Sequence, residues 1–141
     1  MIIQQLSVFL ENRSGRLTQV LEVLGRENIK ITALSVADTS EFGILRLLVT
    51  EPDKAKQVLK NNDFTVNITE VISVSAPNEA KHYAKVLKIL SDRNISVEYT
   101  YAFPVDDRSI IILRCSNNHE AINELKSHEM DLLTSGDLYK L

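Results

Sequence analysis

Residues 12–17 read Asn12-Arg13-Ser14-Gly15-Arg16-Leu17, and they lie between an alternating apolar run and a helical pattern. A strand that turns into a helix leaves several backbone N–H groups unpaired at the helix start, and the helix dipole adds partial positive charge there. Such a corner suits a carboxylate or a phosphate. Gly15 lets a ligand approach the main chain closely, and Ser14 is predicted to cap the helix.

The elements on both sides of this corner follow from periodicity. Before it, Leu6, Val8 and Leu10 share one face of a predicted strand. After it, apolar residues follow the i, i+3, i+4, i+7 spacing of an amphipathic helix, at Leu17, Val20, Leu21 and Leu24. Strands are predicted at residues 29–36, 42–50 and 64–68, with a second helix that starts at Pro52. The order is βαββαβ.

The same order recurs after a shift of 66 residues, which aligns Asn12 with Asn78, Leu24 with Leu90, and Leu47 with Leu113. The halves are therefore an internal duplication. We predict an α+β fold of two ferredoxin-like βαββαβ units, residues 1–68 and 69–141. No Pro/Gly/Ser-rich spacer separates them, which favours an intrachain pair over two independent domains.

Composition narrows the function classes. The 141 residues are 44% hydrophobic and 25% charged, with a net charge of −3 and one cysteine. The acidic balance favours neither nucleic acid nor an anionic membrane as a partner. A single cysteine excludes an internal disulfide, and no apolar stretch approaches the roughly 20 residues that span a bilayer. We predict a cytoplasmic protein.

Catalytic patterns are missing from the sequence. His82, His119 and His128 lack metal-ligand spacing, and Ser14 has no neighbouring base to activate it. Cys115 aligns with Val49 and is interpreted as a small core residue. We therefore predict no enzyme activity, no metal and no cofactor, which leaves binding.

The corner resembles the strand-to-helix loop of the ACT domain, a small ligand-binding module of amino-acid metabolism. The family pattern there is Asp or Asn, any residue, Pro, Gly, any residue, Leu, and Ser14 stands here in place of the Pro. The duplicated βαββαβ order extends the resemblance over the whole chain as two tandem copies. It implies a regulatory module that binds a free amino acid or a similar small metabolite and acts on a metabolic enzyme.

The resemblance also implies a site. In ACT pairs the ligand binds where the loop of one unit meets the second strand of its neighbour. The α-carboxylate would take the N–H groups around Arg13–Gly15, helped by the Asn12 amide and by the charge of Arg13 or Arg16. The candidates to accept from the α-ammonium are main-chain carbonyls near Ala33, Leu34 and Ser35, or those of the partner strand. Leu17 closes the motif.

The second copy departs from this pattern, since it reads Asn78-Glu79-Ala80-Lys81 and has Lys81 where the first has Gly15. We expect this loop to bind weakly or not at all, with Asn78 as a helix cap. Its second strand carries Tyr99, Thr100 and Tyr101. The two tyrosines either fill the core or an interface, or form one wall of a composite pocket with the Gly15 loop.

Alternation in the third strands predicts the assembly state. It places Ile44, Leu48, Ile110 and Ile112 on the sheet face opposite the helices, beside Arg46 and Arg114. Apolar residues on an open face indicate a covering copy, so a homodimer is predicted. The alternative function is a subunit without a ligand that mediates only protein–protein contacts.

Overall fold

The computed structural model describes residues 1–11, 14–38 and 42–141, with the backbone alone at Asp38. The chain forms two compact units. The first unit comprises Gln4–Thr69, and the second comprises Met1–Ile3 together with Glu70–Leu141. Each unit has its own hydrophobic core. Of the helices in the described ranges, none is both long and apolar enough to cross a bilayer.

The first unit has the predicted βαββαβ order, with its strands arranged β2-β3-β1-β4. Its elements are β1 (Ile3–Glu11), α1 (Arg16–Arg26), β2 (Ile31–Asp38), β3 (Phe42–Val49), α2 (Pro52–Asn61) and the start of β4 (Val66–Pro77). Both helices pack on one face of the sheet. The predicted inward faces are confirmed, since the core contains Leu6, Val8, Leu10, Leu45, Leu47 and Val49.

The second unit repeats this arrangement around the rest of β4, in the strand order β7-β4-β6-β5. Its elements are α3 (Ala80–Ser91), β5 (Val97–Val105), β6 (Arg108–Cys115), α4 (Asn118–Ser127), β7 (Asp131–Leu132) and α5 (Ser135–Tyr139). β7 is short, and α5 follows it as an addition that the first unit lacks. A pair of ferredoxin-like units is therefore the observed architecture, as predicted.

The buried helix faces differ from the prediction by a small rotation. In α1 the buried residues are Val20, Val23 and Leu24 rather than Leu21. In α3 the same shift buries Ile89 and leaves Leu87 40% exposed. Val23 and Ile89 sit three residues after a buried valine, so they lie on the same face as it. The apolar residues at positions 21 and 87 extended the predicted stripe beyond the true contact face.

The strand register confirms the duplication in three dimensions. Ala33 pairs with Leu48 in the first unit, and Tyr99 pairs with Arg114 in the second, at positions 66 residues apart. Both second strands also have a register shift at the same place, after Ile31 and after Val97. A bulge at equivalent positions is a conserved geometric feature of the repeat and not an accident of one copy.

The prediction of an open apolar sheet face is wrong for three of its four residues. Leu48 is 2% exposed, Ile110 3% and Ile112 0% within one chain, and Ile44 is half-buried. In the second unit one reason is the C-terminal segment, since Leu133 and Ile110 line the same pocket. That segment was not part of the predicted fold. These side chains therefore do not require a second copy to bury them.

Candidate functional site

The corner after β1 opens into α1 through a glycine in a left-handed conformation. Gly15 is the N-cap residue, with φ 87° and ψ −5°, and no side chain caps the helix. The predicted cap by Ser14 is therefore wrong. Ser14 and Gly15 are exposed, and the first N–H groups of α1 have no acceptor in the preceding turn of the helix. Asn12 and Arg13 lie outside the described residues.

Glycine at this corner is explained by backbone conformation. A positive φ costs an L-residue roughly 1–2 kcal/mol, whereas glycine adopts it freely. Apart from its two chain neighbours, no atom of the described residues lies within 4 Å of a Cβ added to Gly15. These residues therefore leave the space beside Gly15 open.

Side chains of its own unit hold Arg16, whereas the resemblance implied that its charge could help to bind the ligand's carboxylate. Its guanidinium carbon lies 4.2 Å from the centre of the Phe64 ring. Nη1 donates to Gln19 Oε1 at 2.8 Å, and Nη2 lies 3.7 Å from Glu11 Oε1. Only 13% of the side chain is exposed. Arg16 therefore ties the end of β1 to the start of α1 and to the segment before β4, and Leu17 packs against the same core.

The second predicted part of the site lies on β2, at the edge of the first unit's sheet. Ala33 and Ser35 are half-buried, and Leu34 is 47% exposed. β3 separates this strand from β1. Leu34 pairs with Leu47, and Leu47 pairs with Leu6, so Leu34 is level with Leu6 in the sheet. Leu6 lies about 17 Å along β1 from Glu11, at ~3.4 Å per residue. Within the first unit, the corner and residues 33–35 are not brought together.

The equivalent corner of the second unit has a different backbone. Glu79 is the N-cap of α3 in an extended conformation, so the predicted cap by Asn78 is wrong. The Asn78 N–H donates to the Asp107 carbonyl at 3.2 Å, and the Glu79 N–H donates to the Pro77 carbonyl at 2.8 Å. Two donors of this loop are therefore already used. Lys81 forms an exposed ion pair with Glu79 at 3.5 Å.

The tyrosines of β5 lie on the sheet face opposite α3 and α4. Tyr99 pairs with Arg114 and Tyr101 with Ile112, and both rings are half-buried. Thr100 is exposed on the helix side of the strand and donates its hydroxyl to the Ile112 carbonyl at 2.8 Å. The register thus confirms that Tyr99 and Tyr101 occupy the positions of Ala33 and Ser35.

Cys115 behaves as the core residue that the sequence indicated. It is 3% exposed within the second core. Burial, with a smaller contribution from Glu98, raises the pKa of its thiol to about 11 against the opposing charge of Arg114. A neutral thiol is a poor nucleophile and a poor metal ligand. In the described part of the chain, no three His, Cys, Asp or Glu side chains converge as a metal site would require.

Two features escaped the sequence reasoning. Phe64 and Glu11 hold Arg16 from outside α1, where no helical spacing rule applies. Gln19 holds it from within α1, at the i, i+3 spacing. By contrast, Thr134-Ser135-Gly136-Asp137 is a helix-start signal of the S/T-x-x-acid type. It forms a complete capping box at α5, with Asp137 accepting from the Thr134 N–H at 2.9 Å.

Comparison with known proteins agrees with this geometry. The family profile described as ACT domain pair matches residues 1–141. The crystal structure of the protein BT0572 from Bacteroides thetaiotaomicron is 49% identical, with a TM-score of 0.95 over 100% of this chain and 98% of that one. No curated protein sequence matches the chain.

More distant structures share the fold. The ligand-free regulatory subunit of aspartate kinase from Thermus thermophilus has 12% identity and a TM-score of 0.65, over 88% of this chain and 91% of that one. The same subunit from Thermus flavus has 12% identity and a TM-score of 0.62, over 90% and 94%. ACT domain pairs are a regulatory family. On the evidence of the matched profile and the Bacteroides relative, this chain belongs to the ACT domain pair family.

Proposed function

We propose that this protein is a non-catalytic sensor that binds a free amino acid, or a similar small metabolite, at the Gly15 corner. The observation that carries the proposal is the exposed main chain there: Gly15 has φ 87°, is the N-cap of α1, and is left open by the described residues around it. The second unit has lost the glycine and uses two of its loop donors internally. One working site in each chain follows.

The ligand's carboxylate would be held by main-chain groups. The N–H groups at the start of α1, with the helix dipole behind them, are suited to a carboxylate. Arg16 adds positive charge nearby, while its contacts with Phe64 and Gln19 fix the helix end. Asn12 and Arg13 are proposed to complete this half of the site.

Residues 33–35, which the resemblance implies as acceptors for the ligand's ammonium, do not lie beside the corner within the same unit. β3 lies between β1 and residues 33–35. We therefore assign the acceptors to the β2 main chain of a second copy, near Ala33–Ser35. On this proposal the site is complete only in a homodimer, and ligand binding stabilises the dimer by mass action.

The β2 edge supports this dimer, because it is more apolar than its counterpart in the repeat. Leu34 is 47% exposed and Val36 41%. The equivalent residues of β5 are Thr100 and Ala102, followed by Pro104, which has no N–H to donate. An edge strand without proline and with exposed apolar side chains favours pairing with another strand. β5 contains Pro104 and has Thr100 and Ala102 in place of the leucine and the valine.

The signal would be passed to a separate enzyme in the cytoplasm. The Thermus proteins are regulatory subunits of an aspartate kinase, so there an ACT pair serves an enzyme of amino-acid metabolism. We propose the same kind of partner here, with no catalytic group supplied by this chain. Ligand binding would act on the partner through the relative stability of two packings of the units.

Calorimetric titration of the whole protein against the twenty amino acids tests the sensor proposal. Saturable binding of one amino acid, or of a chemically related group, is the expected result. The decisive variant is Gly15→Asn, because asparagine tolerates positive φ and so adds a side chain while keeping the backbone. We expect at least tenfold weaker binding. Lys81→Asn, at the aligned position in the first turn of α3, is the control in the second unit and should bind normally.

The role of β5 needs its own variant. If Tyr101 forms part of the wall of a composite pocket, Tyr101→Ala should weaken binding. The variant should still bind only ligands that carry both the α-amino and the α-carboxylate group. Normal affinity in Tyr101→Ala would confine the site to the Gly15 corner and the partner's β2.

An assembly subunit without a ligand is the second candidate, and the apolar β2 edge is the observation that favours it. The two candidates make opposite predictions in one comparison. A chain that binds nothing in the titration, yet loses its dimer in Leu34→Glu by sedimentation velocity, is an assembly subunit. A chain whose Leu34→Glu variant loses both the dimer and the amino acid is the proposed sensor.

A further inference from the structure

The C-terminal segment lines a pocket of the second unit. Leu133 donates its N–H to the Ser73 carbonyl at 2.9 Å, and the capping box of Thr134 and Asp137 starts α5 directly afterwards. Leu138 on this helix is 1% exposed. The C-terminal segment therefore packs against the rest of the second unit, and Asp137 lines the pocket.

The pocket has a volume of about 180 Å³ and lies between this segment and the β5–β6 turn. Its walls are apolar, formed by Val105, Ile110, Leu133 and Leu141. Ile110 pairs with Phe103 and is adjacent to the core residue Ile111. It therefore faces away from α3 and α4, because successive strand residues point to opposite faces. The pocket is on the sheet face without the long helices, within one unit.

Three carboxylates surround these apolar walls. Asp106 and Asp107 form the turn, and Asp137 lies on α5. Hydrogen bonds from the Thr134 backbone and hydroxyl lower the pKa of Asp137, so it is ionised at neutral pH. All three residues are exposed.

The one cation among the lining residues already has partners. Arg108 donates from Nε to Ser75 Oγ at 2.7 Å and from Nη2 to the Ser75 carbonyl at 3.0 Å. Nη2 also lies 3.9 Å from Asp131 Oδ2. Three carboxylates against one engaged guanidinium leave a net charge of −2 around an apolar cavity.

We infer that this pocket binds a small amphipathic organic cation, with its apolar body against Val105, Ile110 and Leu133 and its ammonium at the carboxylates. The size fits a body of a few carbons, since an apolar cavity of about 150 Å³ holds benzene. An anion of the same size would meet net repulsion, and a neutral molecule would gain only the apolar contact. The inference is independent of the Gly15 corner.

Amide-resolved NMR titration of the full chain tests the inference with three probes of equal length: n-butylammonium, 1-butanol and butyrate. Saturable shifts confined to residues 105–110 and 133–141 are expected for butylammonium, with about tenfold weaker binding for butanol and none for butyrate. Added salt should weaken the butylammonium shift and leave the butanol shift unchanged. Equal affinities for butylammonium and butanol would overturn the charge assignment.

Two variants separate a real pocket from general surface attraction. Asp107→Asn removes one charge but keeps the backbone carbonyl that accepts from Asn78, and we expect three- to tenfold weaker butylammonium binding. Asp92→Asn, a charge removed from the exposed end of α3, is the matched control and should bind normally. Val105→Phe fills the cavity and should abolish binding of butylammonium and butanol alike. If Asp92→Asn weakens binding as much as Asp107→Asn, the cation is attracted by net charge alone and the proposed site is wrong.

Discussion

The two units have the same architecture but differ at the strand-to-helix corner. In the first unit Gly15 has a positive φ and is exposed, and in the second Glu79 is extended and its N–H is already bonded. The cores at equivalent positions remain apolar and buried, as at Leu47 and Leu113. Duplication thus preserved the packing that each copy needs for stability and let the loops diverge. The equivalent positions allow each unit to serve as the control for the other.

The largest effects are expected in the cores, at a pair of equivalent leucines. Leu59 in α2 and Leu125 in α4 are both 0% exposed. Truncation to alanine removes buried methyl groups and leaves a cavity, so each of Leu59→Ala and Leu125→Ala should lower the free energy of unfolding by about 2–5 kcal/mol. Chemical denaturation measures this difference.

The control for this pair is Leu87→Ala, because Leu87 is 40% exposed on α3. Its cost should be below about 1 kcal/mol, as for surface substitutions in general. Similar losses for Leu125 and Leu87 would show that the second core is looser than the first, and would break the equivalence of the two units.

A smaller effect, of either sign, is expected at two glycines of α1. Within the part of the chain that the structure describes, an added Cβ has no non-neighbouring atom within 4 Å at Gly15 or at Gly25, so crowding there does not distinguish them. Gly15 has a positive φ, and Gly15→Ala should cost about 1–2 kcal/mol. Gly25 is within the helix, and Gly25→Ala should add about 0.5–1 kcal/mol of stability. Thermal unfolding measures both, and equal shifts would exclude backbone conformation as the reason for Gly15.

Much of this fold could be predicted from periodicity and repetition. Alternation placed Leu45, Leu47 and Val49 toward the helices, and the shift of 66 residues placed their counterparts in the second core. These signals come from neighbouring residues or occur in both copies, so they can be recognised without knowledge of the tertiary structure. The positive φ of Gly15 was not predicted, because a glycine alone does not specify it: Gly25 lies within α1.

Most of the rest depended on contacts between distant residues. Arg16 was interpreted as a ligand group, but Phe64 and Glu11 engage it from segments that no spacing rule connects. Ser14 was expected to cap α1, but the helix starts one residue later, at a glycine without a side chain. Ile110 was expected to be open, because the C-terminal segment beside it was not predicted to form a helix. Tertiary packing decided the outcome at Arg16 and at Ile110, whereas at Ser14 the difference lies in the local backbone at Gly15.

The helices that follow the third strands differ in how they begin, and this gives a prediction of about 1 kcal/mol. Asn117 caps α4 by accepting from the Glu120 N–H, whereas its counterpart Glu51 makes no side-chain cap to α2. Asn117→Ala should therefore cost about 1 kcal/mol of unfolding free energy, and Glu51→Ala only a few tenths. Urea denaturation of the two variants tests this. A cost for Glu51→Ala as large as that for Asn117→Ala would contradict the assigned caps.

The last effect appears only in alkaline solution and concerns a position where the repeat has Val49 in one unit and Cys115 in the other, both buried. Burial raises the thiol pKa from 9.0 to about 11, so in alkaline solution the unfolded chain loses this proton before the folded protein does. The protein is then less stable as pH rises through this window, and the loss is complete only above the folded pKa.

Cys115→Val makes the second unit match the first and removes the titration. Its unfolding free energy should therefore fall less than that of the wild type between pH 8 and pH 10.5, when both are measured by urea denaturation under reducing conditions. Other groups that titrate there are common to both proteins and cancel in the comparison. A wild-type thiol that reacts with a maleimide at pH 7 as fast in the native protein as in urea would show instead that Cys115 is not buried, and that the second core is open at its edge.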